Sequence, residues 1–237
     1  MQWPVRQINR YGAVLAVLIV LQAVFWWQTH FIRPATEVVP IPPGKATLRA
    51  LSFGDEEFYF RVQAMTLQNF GDEFGRLVSL RYYDYTNLYQ WLMLLDSLDS
   101  RSDMLPSMAA YYFSQTQNTT DVRYLANYLY AHATRDVEHK WWWLLQGIYL
   151  AMHKVDDLDL ALKIAKPLTT PGVPVWAQEM AAVVYEKRGE MEDAIRIINT
   201  IQANEDDIPD RDLRFMRYFV EERIKKLEHK GAPYIPW

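Results

Sequence analysis

The chain has 237 residues, half of them hydrophobic and 23% charged, a composition that folds and that excludes a disordered tail. Without cysteine it has no thiol nucleophile, disulfide framework, cysteine zinc ribbon or cysteine-ligated iron–sulfur cluster, and the missing thiols assign no redox compartment. A formal charge of -4 argues against nucleic acid as the main partner, because phosphate binding needs a net basic face.

From Gly12 to Trp27 the only polar residue is Gln22 and there is no charge, and taken as residues 12–32 the segment reaches the ~20 residues that a bilayer crossing requires. Trp26, Trp27 and Phe31 cluster at its far end and Tyr11 sits at its near end, where aromatic belts meet the lipid–water interface. A cleaved signal peptide has a shorter apolar core followed by small residues. Here Phe25-Trp26-Trp27-Gln28-Thr29-His30 follow, so an uncleaved anchor is expected. Arg6 and Arg10 precede the span and Arg33 alone follows closely, which predicts a cytoplasmic N-terminus over residues 1–11. In a bacterium the remainder is then periplasmic and the chain a single-pass inner membrane protein. The part beyond the span carries all 29 acidic residues and all the Lys and Arg except Arg6 and Arg10, a formal charge of -6.

Residues 33–47 place four prolines in ten positions, which predicts an extended polyproline II spacer. Past Leu48 no sustained period-two alternation occurs, whereas 3.6-residue patterns recur between turn residues, so residues 48–237 read as one all-α domain. Helices are expected over Phe53–Phe70, Asp84–Leu98, Pro106–Gln117, Asp121–Thr134, Glu138–Lys154, Leu158–Leu168, Val175–Arg188, Glu190–Asn204 and Asp210–Lys230. Loops of two to six residues fold successive helices back as antiparallel hairpins, stacked as a solenoid or a compact bundle.

The stretch Val175 to Asp206 resembles a tetratricopeptide repeat: Ala182, Tyr185, Gly189 and Ala194 match the family spacing, and Ala161 lies 33 residues before Ala194. Trp141 to Pro171 is similar at Gly147 and Ala161, with fourteen residues between them where the family has twelve. Small residues at these positions let paired helices approach closely. The resemblance covers about 65 residues and implies a TPR-like solenoid whose concave groove binds peptides or protein surfaces. The last expected helix, with Leu213, Met216, Val220, Ile224 and Leu227 on one side, suits the solvating cap of such a stack.

Chemistry is sparse. No HExxH, GxSxG, Walker A or GxGxxG string occurs. His132, Asp136 and His139 fall within eight residues but straddle two helices, so no metal site is expected, and no cofactor. Asp55-Glu56-Glu57, Asp72-Glu73 and Asp156-Asp157 read as capping and dipole groups. An envelope enzyme would have to join distant carboxylates, such as Glu57 or Asp72 with Glu138. Trp141, Trp142 and Trp143 are successive helical positions, about 100° apart, and cannot all face one core. With Tyr82, Tyr85 and Tyr111 they are the candidate partner-binding residues. The expected role is a membrane-anchored, non-enzymatic scaffold or adaptor of the bacterial envelope, held in the bilayer through residues 12–32, with other proteins as partners. The rival is an accessory subunit held in a membrane complex through the spanning helix itself.

Overall fold

The structure, a computed structural model, describes residues 5–29, 37–73 and 76–203. The expected terminal helix and cap lie outside the described residues. The chain divides into two compact units, the first ending at Glu37 and the second beginning at Val38.

The first unit is helix α1, Val5–Thr29. Its segment Tyr11–Thr29 is 19 residues long, about 28 Å at 1.5 Å per residue, close to the ~30 Å hydrocarbon core of a bilayer. None of that apolar surface is buried within the protein. The helix is therefore long and apolar enough to cross a membrane. At its end Thr29 Oγ1 donates back to the Phe25 carbonyl one turn earlier at 2.7 Å.

Among the described residues the regular structure of the second unit is helical apart from a two-rung antiparallel ladder, β1 (Asp72–Glu73) with β2 (Arg76–Leu77), too short to leave an alternating pattern in the sequence. Residues 38–44 differ from the free spacer expected over 33–47. Val39 is buried in the core, Asn87 Nδ2 donates to the Val39 carbonyl at 3.2 Å, and Trp91 Nε1 donates to the Pro40 carbonyl at 2.8 Å. Proline cannot donate, but its carbonyl accepts, so a proline-rich strand can be clasped by side chains alone.

Helix α2 (Lys45–Leu51) then turns through Phe53 (φ +50°) and Gly54 (φ +91°) into α3 (Glu56–Gln68). The helix expected over Phe53–Phe70 starts at Glu56 instead: the two left-handed residues precede it, and Asp55 caps it by accepting from Phe58 N at 2.9 Å. After α4 (Tyr85–Asp96), the segment expected as one helix over Pro106–Gln117 is α5 (Met104–Ser107), a π-helical turn (Met108–Tyr112) and a 3₁₀ turn (Phe113–Gln115). Helices α6 (Val122–Ala133), α7 (Val137–Leu150), α8 (Leu158–Ala165), α9 (Val175–Arg188) and α10 (Met191–Ala203) follow, near their expected bounds. A π turn, Ala151–Val155, ends α7, and Asp156 then adopts φ +58°.

Each helix from α6 to α10 packs on the next, and α4 packs on α6. Aspartates start these helices: Asp84 caps α4, Asp136 caps α7 and Asp157 caps α8, each accepting from a first-turn N–H. Gly147 lets α7 approach its neighbours, since a Cβ there would lie 3.2 Å from Ile164 Cγ2 and 3.6 Å from the Ala126 carbonyl. Ala182, Ala194 and Ile198 form one buried cluster with Tyr185 against it, and Ala161 is fully buried. Gly189 (φ +84°) ends α9, with Glu190 N donating to the Tyr185 carbonyl and Gly189 N to that of Glu186, both at 3.0 Å.

Candidate functional site

The aromatic residues singled out above divide three ways. On α7 the successive positions separate as helical geometry requires. Trp143 turns inward, 7% exposed, and its Nε1 donates to Asp103 Oδ1 at 2.9 Å. Trp142 turns outward, 43% exposed, and its Nε1 donates to the Tyr111 hydroxyl at 3.1 Å. Trp141 lies between them, half-buried, edge-on to Trp142 at 5.9 Å and to Trp176 of α9 at 5.2 Å. Tyr111 projects from the π turn, 51% exposed, its ring tilted over Trp143 at 6.3 Å.

The π turn sets this arrangement. Ala109, Ala110 and Phe113 face the core while Tyr111 and Tyr112 face solvent. Trp142, Trp141, Tyr111 and Trp176, drawn from α7, the π turn and α9, thereby make one amphipathic surface with its polar tips already oriented. Aromatic contacts of this kind contribute about 0.5–1.5 kcal/mol each beyond the area they cover.

Two of the candidate residues are corrected by burial. Trp143 is a packing residue and offers no surface. Tyr85 is 2% exposed, with its hydroxyl donating to the Phe113 carbonyl at 2.8 Å, and burial is the main cause that raises its pKa well above the ordinary phenol value. Tyr82 is exposed, but on the 3₁₀ turn Leu80–Tyr82, with the Arg81 guanidinium 5.1 Å above its ring. Its neighbour Tyr83 is buried and donates to the Phe70 carbonyl, and desolvation pushes its pKa up to about 12.

A second polar constellation lies inside the protein. Asp96 of α4 and His132 of α6 are both fully buried, with His132 Nδ1 2.6 Å from Asp96 Oδ1. Arg135, just past the end of α6, donates to Asp96 Oδ2 and, at 3.3 Å, to the Asp96 carbonyl. Tyr128 donates to Asp96 Oδ1 at 3.4 Å, and burial is the main cause raising its pKa. The short Nδ1 contact fixes the tautomer: Nδ1 carries the proton and donates to the carboxylate. His132 Nε2 is buried without a partner among the described residues. This network is a clasp between α4 and α6, and it takes His132 away from Asp136 and His139. Those two pair with each other instead, His139 Nδ1 lying 2.9 Å from Asp136 Oδ1. Its signal in the sequence is Asp96 four residues after Leu92, a carboxylate on an otherwise apolar helical face.

The carboxylates that an enzyme would need are on separate elements. Glu57 is exposed and pairs with Arg101 and with Arg61, Asp72 lies in β1, and Glu138 lies in the first turn of α7 beside Gly172. No family model, curated protein or solved structure matches the chain.

Proposed function

We propose that the chain is a single-span, N-in protein of the bacterial inner membrane whose helical body, held on the periplasmic side as a TPR-like stack, docks other proteins at the surface formed by Trp142 and Tyr111. The observation that carries the reading is the hydrogen-bonded pair of exposed rings, Trp142 Nε1 to Tyr111 Oη at 3.1 Å, backed by Trp141. Tryptophan and tyrosine supply large contact area at low entropic cost, and residues of this kind dominate binding energy when a partner desolvates them. The close-packed small residues Gly147, Ala161, Ala182 and Ala194 support the stack, and the unburied apolar helix α1 supports the anchor.

The test is crosslinking from membranes, comparing the full chain with Trp142→Ala and Tyr111→Ala and with a soluble form starting at Glu37. A start at Lys45 would remove Val39 and the two carbonyls that Asn87 and Trp91 grip. If the aromatic surface is the dock, each alanine variant weakens recovery of the crosslinked partner by roughly 30-fold, the equivalent of about 2 kcal/mol, and the soluble form retains it. Equal recovery by the alanine variants, with loss in the soluble form, transfers recognition to α1 and supports the accessory-subunit reading.

A further inference from the structure

Helix α3 is apolar on two opposite sides. Phe60, Ala64 and Leu67 form its buried stripe, while Phe58, Val62 and Met65 repeat the same i, i+4, i+7 spacing about 200° away and stand in solvent. A helix on the surface of a soluble domain is expected to carry charge on that side. Immediately before α3, Phe53 holds its ring 93% exposed at φ +50°, a left-handed conformation that bulky residues avoid. Strain of this kind persists where the displayed side chain has a use.

We propose that the outer stripe of α3 together with Phe53 seats in the interfacial layer of the bilayer that α1 crosses, so that the body rests on the lipid through this edge. The inference rests on the spanning reading of α1. Three observations favour lipid over a protein partner. Eight residues, 30–37, separate the end of α1 from Val38, and even fully extended they reach about 30 Å, which bounds how far Val38 can stand from the end of α1. Phe53, Phe58, Val62 and Met65 carry no hydrogen-bonding group, which suits an acyl environment and gives a protein partner nothing polar to read. The charges beside the stripe already pair among themselves, Arg49 with Glu56 and Glu57 with both Arg61 and Arg101, so the edge has no unpaired charge among these residues to draw an oppositely charged partner.

The absence of cysteine makes the test direct, because one introduced thiol gives one label. The full chain is reconstituted in phosphatidylcholine vesicles containing nitroxide-labelled acyl chains, with an environment-sensitive fluorophore at Leu18→Cys, Phe53→Cys, Val62→Cys, Met65→Cys or Lys187→Cys in turn. Leu18 reports the span, and Lys187, exposed on α9, reports non-specific adsorption. The expected result is deep quenching at Leu18, shallow quenching at 53, 62 and 65 consistent with a depth of about 5–10 Å, and none at Lys187. Quenching at Leu18 with positions 53, 62 and 65 as bright as Lys187 overturns the seat and leaves the span intact. A blue shift at those positions without lipid quenching overturns it in favour of a second copy covering the face. An unquenched Leu18 removes the spanning reading and the seat with it.

Discussion

Removing the carboxylate at Asp96 tests whether the α4–α6 clasp holds the body together. In Asp96→Ala the fully buried His132 loses the acceptor 2.6 Å from Nδ1, and Tyr128 loses its only described acceptor. Arg135 is partly exposed and can return to water. Each orphaned buried donor costs about 1–3 kcal/mol, so stranding His132 and Tyr128 together costs about 2–6 kcal/mol. For a body of this size each kcal/mol lowers the melting temperature by about 2–4 °C, so a drop of roughly 4–24 °C is expected. Asp96→Asn keeps the shape but turns one of its two acceptors into a donor facing His132 or Arg135, and should recover only part of the loss. Near-ultraviolet circular dichroism of the full chain in detergent micelles reads the melt, since aromatic residues are 14% of the chain and report tertiary packing. Replacing both ends, Asp96→Leu with His132→Phe, should cost less than Asp96→Leu alone, because the Tyr128 hydroxyl is then stranded but the His132 donor is not. Melting of Asp96→Ala within about 2 °C of the parent would refute the clasp as a stabilising element.

The tryptophan triplet should split by burial: Trp143→Ala should destabilise the body by about 3–5 kcal/mol and Trp142→Ala by less than about 1 kcal/mol, read as shifts in a denaturant midpoint. Gly189→Ala should cost about 1–2 kcal/mol in the same measurement, since φ is +84° and the space for a methyl group is open, leaving backbone strain as the whole effect. The Asp136–His139 pair predicts a pH window. The His139 hydrogen bond lowers the Asp136 pKa from 3.8, so that contribution is present above about pH 4 and is lost as pH falls through the lowered value. The same bond raises the His139 pKa from 6.5, so that contribution is complete below about pH 6.5 and is lost as pH rises through the raised value. The melting difference between the parent and His139→Gln should therefore be largest near pH 5 and shrink on both sides. A difference that grows steadily toward pH 9 would contradict the pairing.

How far the sequence could be read depended on the range of the interaction. The apolar run of α1 and the helices from α6 to α10 are local facts: a 3.6-residue pattern marks them within a few residues, helped at α6, α7 and α8 by an aspartate just before the first turn. The π turns at Met108–Tyr112 and Ala151–Val155 left no such mark, because a single wide turn changes the hydrogen-bond register without changing the apolar content. The separation of Trp142 from Trp143 followed from helical angles, but which one turned inward depended on Asp103, 40 residues away. Asp96 and His132 are likewise 36 residues apart, and the carboxylate on the apolar face of α4 does not by itself name its partner. The grip on Val39 and Pro40 was invisible for a different reason: it is made to backbone carbonyls, which every residue has.

That grip also sets a concentration. With the second unit starting at Val38 and its next two residues fastened to α4, only the eight residues 30–37 lie between α1 and the gripped segment. Short tethers hold two modules at effective concentrations of the order of millimolar. If α1 spans a bilayer, a surface on the body with only millimolar affinity for that bilayer or for a protein in it would be substantially occupied, although the same surface, cut loose, would bind too weakly to detect. Lengthening the segment between Thr29 and Val38 would then weaken any such contact without altering the contact itself.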